Sequence, residues 1–213
     1  MIITAKQARE QLRDVMAVEL DEVMLQHGFV RRSLSMNYTR PCAAGRQLVE
    51  FKCFYRPRYE PGAILHIYPD TTLEFPEINL LLPKLDSRIV KTNDVTMIQP
   101  LDHCIPSDKR VMWFTYGRDE DCVLSIRSIE GYLTRWGIPF LNDYTTIESL
   151  STYLDTRDTR LTGHGGLFMS VVAACVLTGR LDKAKEALEA WFGKPRLRDE
   201  FAGMHAYVNQ LNV

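Results

Sequence analysis

Hydrophobic and polar positions follow a helical period at both ends of the chain and a period of two between them. The first helical pattern opens at Thr4 and Gln7, which have the spacing of a capping box. Gly28 stands where a helix would stop. Between them, apolar residues recur every three or four positions, as on one face of an amphipathic helix. This stripe consists of Leu12, Val15, Met16, Leu20, Val23 and Met24. The pattern predicts a helix that ends near His27.

The pattern then changes to alternation, most regularly in the segment "RQLVEFKCFYRPR". Period two with one polar face is typical of a half-solvated antiparallel strand. The apolar parity holds Val49, Phe51, Cys53 and Tyr55, and the other parity holds Arg46, Glu50, Lys52, Arg56 and Arg58, together with Leu48 and Phe54. We expect the apolar set to be buried and the basic set to be exposed. "AILHIY" is predicted to pair with this strand across the Pro61–Gly62 turn, and "VTMIQPL" and "RVMWFTY" are later strand candidates.

From Asp119 onward the pattern is helical again. "GIPFLNDY" is expected to break the first of these helices, and the four residues that begin at Thr145 are expected to cap the next. A helical hairpin that turns at Gly179 and one last helix follow. Strands and helices are thus segregated along the chain, which predicts an α+β fold. We expect an N-terminal helix, an antiparallel sheet of about five to six strands and a C-terminal layer of four to five helices. The expected division is a sheet domain of residues 1–118 and a helical region of residues 119–213 packed on the sheet.

The predicted hairpin contains the most apolar run of the chain, "LFMSVVAACVL". This run is shorter than the roughly 20 residues that a membrane-spanning helix needs, so a buried helix is expected and no membrane association. The hairpin resembles one tetratricopeptide unit, but the chain holds no second copy, and a repeat array needs about three. We expect its two helices to pack through Phe168, Val172, Cys175, Ala184, Leu188 and Trp191.

Composition limits the class of protein. Apolar residues make up 46% and charged residues 25%, and the formal net charge is −1, so overall charge favours neither nucleic acid nor a membrane surface as a partner. The five cysteines form no CxxC pair. Together with an N-terminus that lacks the apolar segment of a signal peptide, they predict a reducing, cytoplasmic location.

Three short motifs invite a chemical interpretation. "GHGG" precedes a helix but lacks the residues of a phosphate-binding loop, so a loop between helices is expected. In "DHC", adjacent side chains of an extended chain would point to opposite faces, so a loop between strands is expected instead of a Cys–His pair. The histidines are far apart and show no metal-ligand spacing. The sequence predicts no catalytic residue, metal or cofactor. An enzyme remains an alternative, with a site that combines His66, Glu50 and Cys104.

Charge is distributed unevenly along the chain. Residues 28–66 hold seven basic and two acidic residues, a net of +5, whereas residues 67–121 hold six basic and ten acidic residues, a net of −4. Strand parity places the basic side chains on one face, with Tyr59 close by. We therefore predict a binding surface of Arg46, Lys52, Arg56, Arg58, Tyr59 and His66 for an anionic partner. A solvated sheet face with protective arginines is the alternative.

"HGFVRRSLSMNYTR", "RQLVEFKCFYR" and "WGIPFLNDYTTIESLSTYL" resemble segments of bacterial α+β domains of unknown function. Some of those domains are similar in context to immunity proteins that neutralise toxins. The resemblance implies binding to a protein and carries over no catalytic residue. The leading expectation is a non-catalytic protein-binding module of the bacterial cytosol, of the immunity or accessory type. Its alternatives are a hydrolase-like enzyme and a nucleic-acid-binding module that uses the basic face.

Overall fold

The computed structural model describes residues 3–88, 95–110, 114–116, 119–161 and 165–211. This part of the chain has the predicted α+β fold, with N-terminal helices, a sheet and a run of C-terminal helices. The helices are α1 (Ala5–Glu19), α2 (Asp21–Gln26), α3 (Pro76–Leu85), α4 (Leu101–Cys104), α5 (Asp119–Tyr132), α6 (Ile138–Asp143), α7 (Ile147–Ser151), α8 (Tyr153–Thr156), α9 (Gly165–Leu177), α10 (Leu181–Phe192), α11 (Pro195–Glu200) and α12 (Ala202–Gln210). None of the helices in these ranges is long and apolar enough to cross a bilayer.

Six strands form one sheet, which agrees with the five to six expected. They are β1 (Val30–Arg31), β2 (Tyr38–Cys42), β3 (Gly45–Tyr55), β4 (Leu65–Glu74), β5 (Met97–Pro100) and β6 (Phe114–Tyr116). The order is β1-β2-β3-β4-β5, and β6 also pairs with β4. β1 and β2 are antiparallel, and so are β4 and β6, with His66 opposite Thr115.

The chain divides into two compact units. The first contains Met1–Pro41, Gln47–Thr72 and Gln99–Asn142, and the second contains Cys42–Arg46, Leu73–Ile98 and Asp143–Val213. The first unit holds most of β3 and β4 together with α1, α2 and α5. The second holds α3 and the helices from α7 onward. The division expected at residues 118 and 119 stays a prediction.

The N-terminal helix begins as predicted but does not run unbroken. Thr4 and Gln7 form the capping box, in which each side chain bonds the backbone N–H of the other. At Leu20 the backbone leaves helical geometry, with φ −124°, and this separates α1 from α2. Gly28, with φ +80°, ends α2 in a conformation that a side chain would strain.

The C-terminal half is helical as expected, but its breaks lie elsewhere. "GIPFLNDY" does not break the helix: α5 continues through a π-helical turn, Leu133–Gly137, directly into α6. The wider turn precedes Pro139, whose ring would clash with a carbonyl of a regular helix. The second capping box begins one residue later than predicted, at Thr146 with Ser149 as its partner. The predicted last helix is two helices, α11 and α12.

The helical hairpin is confirmed. α9 and α10 pack side by side, and Gly179 between them has φ +71°. Val172, Cys175 and Ala184 are fully buried. The Phe168 and Trp191 rings, both half-buried, stack with centroids 4.1 Å apart. The opening "GHGG" lies partly outside the described residues, and its last two glycines are the first residues of α9.

Candidate functional site

The two faces of β3 have the polarity that the sequence predicts. Val49 and Phe51 are buried, with 0% and 4% exposure, while Cys53 and Tyr55 are half-buried. Cys53 lies near Arg9 of α1 and Cys122 of α5, so these helices cover this face, and burial raises the pKa of its thiol to about 12. All four predicted basic residues of the other face are exposed: Arg46, Lys52, Arg56 and Arg58.

Two of these four basic residues are neutralised by acids on β4. In the first unit, Lys52 forms an ion pair with Asp70. In the second unit, Arg46 forms one with Glu74. A sheet places side chains of neighbouring strands in contact, so the acidic residues that follow residue 66 compensate the basic ones that precede it. Part of the uneven charge of the sequence is thus cancelled where β3 meets β4.

Asp70 is the most unusual member of this polar face. Its side chain is only 1% exposed, and its Oδ1 accepts no hydrogen bond from the described residues. Burial raises the pKa of the Asp70 carboxyl, the neighbouring charges of Glu50 and Asp102 raise it further, and Lys52 only partly opposes them. Glu50 itself accepts hydrogen bonds from Asn37 at 3.2 Å and Thr72 at 2.8 Å.

The tip of the β3–β4 hairpin leaves two arginines uncompensated. Arg56 has φ +44°, which turns the chain off the strand, and its N–H donates to the Ile64 carbonyl at 3.0 Å. Neither Arg56 nor Arg58 forms an ion pair within the described chain. Phe54 is 51% exposed and Tyr59 is 63% exposed. We call Phe54, Arg56, Arg58 and Tyr59 the hairpin-tip surface.

The sixth predicted site residue, His66, is not on the surface. It follows the outward parity of β4, but its exposure is 3%, because Phe54 and Tyr59 lie against it. The Tyr59 hydroxyl is 2.7 Å from His66 Nδ1. The ring centroids are 5.3 Å apart for Tyr59 and 6.3 Å for Phe54, both edge-on. Burial lowers the pKa of the His66 imidazole.

The structure does not bring Cys104 and Glu50, two residues of the enzyme alternative, to the same face of the sheet. "DHC" belongs to the helical turn α4 and not to a loop, because Leu101–Cys104 continues directly from β5. Cys104 Sγ lies 3.9 Å from Thr71 Oγ1, while Glu50 contacts Thr72. Adjacent residues of a strand point to opposite faces, so Cys104 and Glu50 approach opposite faces of the sheet.

Among the described residues of the second unit, an open cleft of about 580 Å³ is lined with hydroxyl groups and with a charge network in which Arg160 binds Asp158 and Asp143. Another cleft, of about 230 Å³, has Glu77 and Glu148 in its walls. No cluster of His, Cys, Asp and Glu in the described ranges could hold a metal ion.

The sequence interpretation missed two kinds of residue. Phe54 lies on the polar parity of β3, next to a turn. An aromatic residue at such a position is the signal that could have identified it. Asp70 and Glu74 were counted in a separate acidic span, although they alternate along β4 with the same period as the basic residues along β3.

The hairpin-tip surface offers exposed aromatic rings and two cations without carboxylate partners. Such a surface can bind an anionic or acidic partner. No protein-family model matches this chain, and no curated protein or solved structure matches it either.

Proposed function

We propose that this chain is a non-catalytic protein-binding module of the bacterial cytosol that docks an acidic surface of its partner through the hairpin-tip surface. The observation that carries the proposal is the combination of Arg56 and Arg58, which have no ion pair within the described chain, with the exposed rings of Phe54 and Tyr59.

The composition of this surface supports a protein partner. Tyrosine, phenylalanine and arginine are enriched at protein interfaces, and tyrosine and arginine supply many of their energetically dominant contacts. Exposed rings cost free energy in water, which a partner would recover by covering them. The two guanidinium groups, which have no carboxylate partner in the described chain, favour carboxylates on that partner.

A nucleic-acid partner fits the same surface less well. Binding to nucleic acid gains most of its free energy from many phosphate contacts. Of the four predicted basic residues, Arg46 and Lys52 already have carboxylate partners, so Arg56 and Arg58 remain. Two arginines at one hairpin tip, in a chain of net charge −1, provide a weak electrostatic field for a phosphate backbone.

The resemblance to immunity-like domains narrows the kind of partner. If it extends to function, the partner is a toxin, which this chain would neutralise by covering an acidic surface. An accessory role in a larger complex uses the same contact. In both cases the hairpin tip recognises the partner and no bond is broken.

The test compares two charge reversals that change the net charge equally. R56E/R58E alters the hairpin tip, and R196E/R198E alters an Arg-X-Arg segment of α11, where both residues are exposed. Proteins captured from the source cells by the wild-type chain are identified by mass spectrometry, purified, and their dissociation constants measured. We expect an acidic protein whose binding is weakened about 100-fold by R56E/R58E, since buried charge pairs at interfaces contribute several kcal/mol, and hardly by R196E/R198E.

Three results would contradict the proposal. The captured protein could bind equally well to wild type and R56E/R58E, which would place its contact elsewhere. It could lose affinity equally with both pairs, which would show a response to net charge alone. The hairpin tip could capture nucleic acid in place of a protein.

A further inference from the structure

The strongest unexplained contact near the hairpin-tip surface is the one beneath it. His66 is almost completely buried, yet its Nδ1 lies at hydrogen-bond distance, 2.7 Å, from the hydroxyl of Tyr59, which is 63% exposed. The rings of Phe54 and Tyr59 both meet the imidazole edge-on. One buried side chain thus contacts both aromatic residues of the surface.

This contact restricts the orientation of an exposed tyrosine side chain. An exposed tyrosine at a hairpin tip loses rotamer freedom when a partner covers it, and that entropy is subtracted from the affinity. The distance fits either direction of the hydrogen bond; in the tautomer with its hydrogen on Nε2, the neutral imidazole accepts from the phenol O–H at Nδ1. The ring is therefore held in one orientation before any partner arrives.

We propose that His66 is a positioning residue of the hairpin-tip surface, which holds Tyr59 through Nδ1 in the orientation that the partner contacts. The inference rests on the proposed function, because it assigns a role within that docking surface. It predicts that docking depends on the acceptor at Nδ1 and not merely on the volume of the imidazole.

Protonation provides a second way to remove the acceptor. A protonated imidazole carries an N–H at Nδ1 and can no longer accept from Tyr59. Among the described groups that face His66 are Tyr59 and Phe54 from the hairpin, and the negative charge of Glu60 also acts on it. Burial lowers the pKa of His66 more than Glu60 raises it, so the acceptor is present at neutral pH and is lost only on acidification.

The test uses fluorine NMR of the full chain labelled with fluorotyrosine, in which the Y59F variant assigns the Tyr59 signal. H66N supplies an acceptor close to the position of Nδ1, whereas H66F keeps a ring and removes the acceptor. In the wild type we expect the Tyr59 signal to shift with pH, with a midpoint below the ordinary histidine value. In H66N it should keep its position and not titrate, and in H66F it should move towards the signal of an unstructured tyrosine.

The same variants are then measured against the partner that depends on Arg56 and Arg58. We expect H66F and Y59F each to weaken binding about three- to tenfold, the typical cost of ordering one side chain, and H66N to restore most of the affinity. Y59F leaves the buried imidazole in place, so it tests the contact even if H66F does not fold.

Two results would overturn the inference. The Tyr59 signal could be identical in wild type and H66F, which would show that His66 does not hold the ring. Alternatively, the signal could shift while H66F, H66N and Y59F bind equally well, which would show that the orientation is irrelevant to docking. Neither result affects the proposed function, which depends on the response to R56E/R58E.

Discussion

At the scale of single residues, two aspartates of the first unit show opposite electrostatics. Asp21 accepts from Arg31 at 2.7 and 2.8 Å and from the Tyr38 hydroxyl at 2.6 Å, and these hydrogen bonds, led by Arg31, lower its pKa. The pKa of Asp70 is raised, because burial outweighs its ion pair with Lys52. The first carboxylate therefore stabilises the folded chain when it is ionised, and the second destabilises it.

We expect D70N to increase the free energy of unfolding by about 1 kcal/mol at neutral pH, because the attraction within a buried ion pair is often weaker than the desolvation cost of its charges. Because the folded-state pKa of Asp70 is raised, its protonated form stabilises the folded chain. This contribution is complete below pH 3.8, the unfolded-state pKa, and is lost as the pH rises through the folded-state pKa. The advantage of D70N should therefore shrink as the pH falls towards 4. Urea denaturation at neutral and acidic pH measures it.

D21N is the matched control, with the opposite sign. It leaves Arg31, whose side chain is only 6% exposed, without its anion, and this should cost about 3 kcal/mol at neutral pH. Because the pKa of Asp21 is lowered, its contribution is present above 3.8 and is lost as the pH falls through the folded value. If D70N destabilised the chain as much as D21N does, the ion pair with Lys52 would outweigh the desolvation of Asp70, and the prediction would be wrong.

At the scale of elements, half-exposed aromatic residues hold the helical hairpin together. Trp191 stacks on Phe168 with an angle of 13° between the rings and lies 5.9 Å from the Tyr153 ring. It is half-buried and not fully enclosed, so its removal should cost less than that of a core tryptophan.

We expect W191A to lower the free energy of unfolding by about 2 kcal/mol, below the 3–5 kcal/mol typical of a fully buried tryptophan. W191F retains a ring against Phe168 and should lose about half as much. Chemical denaturation with a tyrosine or circular-dichroism signal measures both. An unchanged midpoint for W191A would mean that Trp191 is an exposed residue available to a partner.

At the scale of the whole molecule, part of the basic span of the sequence is neutralised by acidic residues of the neighbouring strand. Lys52 meets Asp70 and Arg46 meets Glu74. The predicted basic face is therefore smaller than the residue count indicates, and its uncompensated part is confined to the hairpin tip. This distribution suits recognition of one local acidic surface better than a long polyanion.

We accordingly expect no binding to a random RNA or DNA oligomer at physiological salt, as measured by fluorescence anisotropy. Phosphate contacts release counterions, so any electrostatic binding should appear only at low salt and fall steeply as salt is added. Submicromolar affinity at physiological salt that the R56E/R58E variant abolishes would assign this chain to the nucleic-acid-binding class.

The sequence by itself determined the kind of several elements, among them α1, β3 and the helical hairpin. Alternation in β3 predicted the exposed basic residues and the buried Val49 and Phe51, because a strand sends successive side chains to opposite faces. The capping box at Thr4 and the turn at Gly179 were also predictable, since local backbone bonds and a positive φ depend on neighbours along the chain.

Only the tertiary structure decided which residues those side chains contact. His66 has outward parity but is buried, because the ring of Phe54 on the same face of the sheet and the ring of Tyr59 beyond the strand lie over it. The neutralisation of Lys52 by Asp70 likewise depends on the register of two strands, which no single segment encodes. Pro139 predicted a helix break, yet a π-helical turn accommodates it. Local pattern fixes the direction of a side chain, whereas packing decides its partner.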